Sequence, residues 1–172
     1  MTDLRINVSD LPAEGREFSF ADQEFWTTKF KEHALECAVH TPLEAEVQVQ
    51  SLDNGALVRG TLKGRVLLPC DRCLDPFEFA VDVDFELLES LPGEDDPEGC
   101  ERIVLENDII LLDMGALLWE EFVLALPIKP LCSEGCPGIC PGCGRNLKEG
   151  SCDCVRDEGD PRLAVFRNLK LK

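Results

Sequence analysis

No stretch of this sequence reaches the ~18 to 20 consecutive apolar residues that a membrane-spanning helix needs, and its first ten residues lack a basic region followed by a hydrophobic run. Neither a membrane span nor an export signal is expected, and the expected location is the cytoplasm. Basic residues are scarce: 17 Lys and Arg face 34 Asp and Glu, a net charge of −17 that repels nucleic acid and anionic lipid at long range. There is no Walker loop, no dinucleotide-binding fingerprint and no GxSxG turn, which removes the enzyme classes built on those motifs. Histidine occurs twice, as His33 and His40, both at positions that suit a surface or a strand edge. A catalytic zinc with an open position, usually held in part by His beside a carboxylate base, has no candidate here, and the chain is not expected to be an enzyme.

What remains is a composition near that of an average soluble globular protein, with 44% hydrophobic and 30% charged residues in 172, enough for one core and a small appendage. The charge is uneven. Residues 1–126 hold 9 basic and 28 acidic side chains, whereas residues 127–172 hold 8 basic and 6 acidic ones. Ten cysteines are present, six of them from Cys132 to Cys154 in CxxC and CxC steps. Thiols that close in sequence rarely reach disulfide geometry with each other but readily converge on one ion.

Periodicity supplies the elements. Leu4 to Val8 alternates and reads as a short strand; Asp22 caps a helix to about Leu35 with Phe25, Trp26, Phe30 and Ala34 on one face. From Leu43 the period becomes two, with Ala45, Val47 and Val49 opposite Glu44, Glu46, Gln48 and Gln50, and Asp53-Asn54-Gly55 supplies the left-handed residues of a hairpin turn. Leu57 to Leu68 and Phe77 to Leu88 complete an antiparallel meander whose second link, Pro69 to Pro76, carries Cys70 and Cys73 at its tip. Residues 90–100 read as an exposed acidic loop, and Ile103 to Leu105 and Ile109 to Leu112 as short strands. Asp113 caps a second helix to about Leu126, and Asp160-Pro161 starts a third with Leu163, Phe166 and Leu169 apolar and Arg162, Arg167, Lys170 and Lys172 basic. The expected class is α+β: an antiparallel β-meander or partly closed sheet, two or three helices, and a zinc-stabilised carboxy-terminal segment. The division is an acidic β-rich body over 1–126 and a docked cysteine-rich segment with a basic helix over 127–172.

The cysteine-rich stretch from Leu131 to Cys154 has too few large apolar residues to fold around a core of its own. Metal supplies the missing force. Cys140-Pro141-Gly142-Cys143-Gly144 has the form of a zinc knuckle, a tight turn that aims two thiolates at one ion, and Cys152 with Cys154 completes a four-sulfur site. Cys70/Cys73 and Cys132/Cys136 each offer two ligands where a closed tetrahedral site needs four, so the parsimonious pairing brings them together around a second ion. Two zinc ions are expected, both structural. Iron in a rubredoxin-like site would use the same ligand pattern, and Cys70/Cys73 could instead be a redox pair, although thioredoxin-type pairs sit at a helix N-terminus and this one lies between strands. Cys37 and Cys100 have no nearby partner and read as a buried thiol and a loop thiol.

Four segments together carry a resemblance: Cys70-Asp71-Arg72-Cys73-Leu74, Leu126-Pro127-Ile128-Lys129-Pro130-Leu131-Cys132, Cys140-Pro141-Gly142-Cys143-Gly144-Arg145-Asn146-Leu147 with Cys152-Asp153-Cys154, and Asp160-Pro161-Arg162-Leu163-Ala164. In order and combination, from about Leu43 to Leu169, the sequence resembles the YceD family of large-subunit ribosomal RNA accumulation proteins of bacteria and plastids. The resemblance implies a non-enzymatic role in ribosome assembly linked to 23S RNA, with some members lacking the distal knuckle while keeping ligands equivalent to Cys70/Cys73 and Cys132/Cys136. On this reading Arg145, Lys148, Arg162, Arg167 and Lys170 are the candidate contacts to ribosomal RNA or a preribosomal particle. The alternatives are an acidic module that holds a basic large-subunit ribosomal protein and a thiol-exchange protein. No membrane partner or small-molecule substrate is expected.

Overall fold

Period-two alternation dominates the middle of the chain and builds three 15-residue antiparallel strands, β3 (Ala38–Leu52), β4 (Gly55–Pro69) and β5 (Pro76–Ser90). A computed structural model describes residues 4–92 and 102–154. Ala45, Val47 and Val49 of β3 face inward while Glu44, Glu46 and Gln48 face solvent; on β5 Val81 and Phe85 are buried between exposed Asp82, Asp84 and Glu86. A short further strand absent from the sequence expectations, β2 (Arg16–Phe20), pairs with β3 through Phe18 and Val47 to give the sheet order β2-β3-β4-β5. On the solvent face β4 and β5 exchange ion pairs: Arg59 with Glu86 (2.8 Å), Arg65 with Glu78 (3.2 Å) and Lys63 with Asp82 (3.3 Å).

A second sheet, in the order β1-β7-β6, joins distant segments. It pairs β1 (Arg5–Asn7) with β7 (Ile109–Asp113), which in turn pairs with β6 (Ile103–Glu106), all antiparallel. The strands therefore form two sheets instead of one partly closed one. Two helices fill the space between: α1 (Gln23–Glu32) and α2 (Met114–Ala125), capped by Asp22 on the Glu24 amide and Asp113 on the Ala116 amide, each at 2.9 Å. Trp26 and Phe30 of α1 meet Phe122 of α2 at ring-centroid distances of 5.3 Å, beside buried Leu62, Leu112, Leu117 and Leu118. The class is α+β, with antiparallel sheets and two helices among the described residues.

Three local expectations are corrected. The first helix stops at Glu32: Ala34 takes φ 50°, its amide bonds to Lys31 O (3.2 Å) and Leu35 N bonds to Phe30 O (2.8 Å), a Schellman end that removes Ala34 from the apolar stripe. The β3 strand begins at Ala38 because register shifts between Val39 and Glu44, around Pro42, interrupt the alternation without ending the strand. The Gln23 side chain bonds both the carbonyl and the amide of Leu43 there, at 2.9 and 3.0 Å. Finally, Asp53-Asn54 closes a two-residue hairpin with no left-handed residue, and Gly55 is needed for space, since a Cβ on it would lie 2.0 Å from Glu89 O. The left-handed pair sits instead at Asn107 (φ 50°) and Asp108 (φ 63°), in the β6–β7 turn. The third helix, from Asp160, lies outside the described residues, as does most of the acidic loop. Among the described residues no helix is long and apolar enough to cross a membrane.

Candidate metal centres

Strand β4 ends at Pro69 and β5 begins at Pro76, and the six residues between them form a tight tip. Cys70 N bonds to Asp75 O (3.0 Å) and Leu74 N to Cys70 O (2.8 Å), with Leu74 at φ 63°. The chain leaving α2 returns to this tip. Asp71 N bonds to Pro130 O (2.9 Å), the Arg72 guanidinium donates from one nitrogen to the carbonyls of Glu134 (3.1 Å) and Cys136 (2.9 Å), and Ile139 N bonds to Arg72 O (2.9 Å). These bonds carry Cys132 and Cys136 onto Cys70 and Cys73. Cys70 Sγ lies 3.8 Å from Cys136 Sγ and Cys73 Sγ 3.8 Å from Cys132 Sγ; all four sulfurs fall within 4.8 Å of one another.

Those distances discriminate between chemistries. A disulfide needs about 2.05 Å between sulfurs, and all the cysteines described are free thiols. A tetrahedron with metal–sulfur bonds of about 2.3 Å has edges of about 3.8 Å, the spacing seen here. Cys70, Cys73 and Cys136 are buried and Cys132 is half-buried, against Phe77 and Leu131. Burial pushes Cys73 up to about 12 and Cys136 above the ordinary thiol range. Burial acts on Cys70 too, but amide hydrogen bonds from Cys132, Cys73 and Arg72 outweigh it and bring that thiol down to about 6. The four sulfurs are a candidate ligand set for one metal ion.

The second cluster is a knuckle built by local bonds. Cys140 N bonds to Arg145 O and Gly144 N to Cys140 O, both at 2.8 Å, with Gly144 at φ 72°, and Gly142 N points at Cys140 Sγ from 3.4 Å. The amides of Cys143 and Gly142 bring Cys140 down to about 6, while sulfur contacts with Cys143, Cys140 and Cys152 push Cys154 up to about 12. Cys140, Cys143, Cys152 and Cys154 again lie with all sulfurs within 4.8 Å, but only Cys140 is buried. Both clusters could hold a metal ion; the first is enclosed and the second open to solvent.

The two are stitched together. Ile139 pairs with Asn146 as an isolated bridge, Leu147 N bonds to Gly138 O (2.9 Å), and Asn146 Nδ2 and Lys148 Nζ both donate to Asp75 Oδ2, at 2.9 and 3.0 Å. Gly138 holds φ 77° where a Cβ would lie 2.9 Å from Arg72 O. Lys148 holds the Asp75 carboxyl below its ordinary range, helped by Asn146, and Asp75 in turn holds the Lys148 ammonium above its own.

The structure brings Cys70, Cys73, Cys132 and Cys136 together in one group and Cys140, Cys143, Cys152 and Cys154 in the other. Arg145 is exposed and donates to Ser151 O (3.2 Å), Lys148 is engaged with Asp75, and Arg162, Arg167 and Lys170 lie outside the described residues, as does Cys100. Cys37 is half-buried and apart from both clusters, with burial pushing its thiol up to about 11. His33 stacks on Trp119 at 4.6 Å and His40 lies 3.0 Å from Glu78, so neither joins a cluster. Sequence reasoning missed Arg72, Asp75 and Asn146. Their signal was position alone, between or beside cysteines.

Residues 58–170, which include both clusters, match the family described as large ribosomal RNA subunit accumulation protein YceD. An uncharacterized protein of Mycobacterium tuberculosis is 33% identical over 107 residues, covering 59% of this chain and 50% of that protein. Bacillus subtilis YlbN, also uncharacterized, is 30% identical over 110 residues, 63% of each chain. An Arabidopsis thaliana protein named large ribosomal RNA subunit accumulation protein YCED homolog 1, chloroplastic, is 22% identical over 157 residues, 76% of this chain and 49% of that one. The chain spans about half the length of the first of these relatives. No solved structure matches it.

Proposed function

The chain belongs to the YceD family, and from that premise we propose that it is a non-enzymatic zinc protein of large-subunit ribosome biogenesis, acting in 23S RNA accumulation by binding RNA or a preribosomal particle. The observation that carries the zinc reading is the pair of four-sulfur clusters, each with all sulfurs within 4.8 Å of one another, the first with Cys70–Cys136 and Cys73–Cys132 at the 3.8 Å edge of a metal tetrathiolate. Four thiolates per ion leave no open position, so the role of each metal is to hold the chain. Zinc fits that role better than iron because it brings no redox chemistry.

The division of labour follows. An acidic body over 1–126 limits non-specific attraction, and a docked segment over 127–172 carries Arg145, Arg162, Arg167 and Lys170 to RNA, with Lys148 at the joint. Binding to a large-subunit RNA fragment is expected to weaken steeply with salt, and charge reversal at Arg145, Arg162, Arg167 and Lys170 to flatten the log–log slope by about 0.7 to 0.9 per lost phosphate contact. Salt-independent affinity, or affinity untouched by the reversals, rules out direct RNA contact.

One feature favours a second reading, in which the body holds a basic ribosomal protein. A hollow of about 640 Å³ on the four-stranded sheet is lined by Glu17, Glu46, Asp84 and Glu86, with Arg59 tied to Glu86. Co-purification of a basic ribosomal protein after nuclease digestion is its expected outcome; recovery of RNA alone discards it.

A further inference from the structure

The knuckle reaches into the first cluster. Its loop between Cys143 and Cys152 carries Lys148, whose Nζ lies 3.0 Å from Asp75 Oδ2 and 4.0 Å from Cys73 Sγ, the outer edge of an N–H to sulfur contact. Asn146, on the same loop, donates to the same Asp75 oxygen (2.9 Å), and its own Oδ1 accepts from the Lys148 amide (3.0 Å), so the two side chains are set as a unit. The loop has no hydrogen-bonded ladder beyond the Ile139–Asn146 bridge. Its two ends meet where Cys140 and Cys143 lie against Cys152 and Cys154, and between them Glu149 N bonds to Asn146 O and the Arg145 guanidinium donates to Ser151 O, both at 3.2 Å.

We infer that Lys148 is a positioning residue of the first metal centre and that the two centres therefore load metal cooperatively. Four thiolates around a dication carry a formal −2, and the Asp75 carboxylate stands beside them. Lys148 answers both charges: it neutralises Asp75 and places an ammonium against Cys73, the outer-sphere contact that tunes a thiolate ligand. Closing the knuckle fixes Lys148 there. By linkage the coupling is reciprocal, since a filled first centre fixes Cys73 and Asp75 as the anchor for the loop. The inference rests on the metal-binding reading above and extends it from two independent staples to one coupled pair.

The test uses the full chain loaded with ¹¹³Cd²⁺, followed by cadmium NMR, each resonance being assigned through its coupling to cysteine β protons, with affinities from chelator competition. Lys148→Met is expected to move the first-centre resonance, leave the knuckle resonance in place, and weaken metal at the first centre by about tenfold. Lys148→Arg restores both readings. Asp75→Asn, which keeps a partner for Asn146, and the double change Cys143→Ser with Cys154→Ser, which empties the knuckle, weaken the first centre in the same direction. First-centre affinity within about twofold of the unaltered chain in Lys148→Met and in the emptied-knuckle variant overturns the coupling. An unaltered chain that shows no first-centre resonance overturns the metal reading itself, a result distinguishable from the first.

Discussion

Among the described residues up to 126, most of the buried large apolar side chains form one continuous cluster; from 127 to 154 the buried residues are Cys136, Gly138 and Cys140. The first region spreads its stability over many contacts, each worth about 1 to 5 kcal/mol, so that no single one decides whether it folds. The second has few apolar contacts, and its order is expected to rest on eight sulfur atoms, six of its own and those of Cys70 and Cys73, with a handful of backbone bonds.

The largest expected effect breaks the comparison open. Structural zinc contributes about 10 to 16 kcal/mol in small peptides, more than most whole domains possess. Chelation, or Cys73→Ser, is expected to collapse the amide resonances of residues 127–154 to unstructured shifts while those of β3, β4 and β5 stay dispersed. Acidification acts in the same direction, because protons compete with the metal for the thiolates. A metal-free, reduced chain with a well-dispersed cysteine-rich segment would show that some other force orders it.

A smaller effect tests the body. Phe122 is fully buried against Trp26 and Phe30, and Phe122→Ala is expected to cost about 3 to 5 kcal/mol in urea unfolding with metal content per folded chain unchanged. A variant that loses stability and metal together would mean that the two regions are not separable.

The smallest effect compares one cysteine of the body with those of the segment. Burial raises Cys37 from an ordinary 9.0 to about 11, so the folded chain holds that proton more tightly than the unfolded one. Its contribution to stability is intact below about pH 9 and is lost as pH rises through about 11. Alkylation of Cys37 at neutral pH is expected to be slow and indifferent to chelator, whereas the clustered thiols react only after metal is withdrawn, Cys143 and Cys154 before the buried Cys70. Chelator-dependent labelling of Cys37 would contradict this.

Much of this was legible in the residues, for a physical reason: alternation and chelating spacings are local patterns. The strands β3, β4 and β5, the caps at Asp22 and Asp113 and the turn from Cys140 to Cys143 all rest on neighbours within a few positions. What escaped was non-local or compensatory. The pairing of Arg5–Asn7 with β7 spans about a hundred residues, and the alternation of Phe18 and Phe20 with Glu17 and Ser19 is only five residues long and does not say which strand it joins. The β3 start was hidden because Pro42 disrupts the period where Gln23 repairs the broken ladder. Lys148 reads in the sequence as a candidate RNA contact, and only the fold shows that its ammonium, still exposed, is paired with Asp75. Charge alone does not tell which way a lysine faces.

The tip that carries Cys70 and Cys73 has a temporal consequence. Its strands pair with each other through a short local turn, so it can zip as soon as β5 exists, yet Cys132 follows Cys73 by 59 residues. At translation rates of about 5 to 20 residues per second, the nascent chain exposes a preformed two-sulfur claw for several seconds before its complement emerges. In that interval the half-built claw can be filled from outside the chain, and whichever ion or thiol reaches it first competes with the sulfurs still to be made.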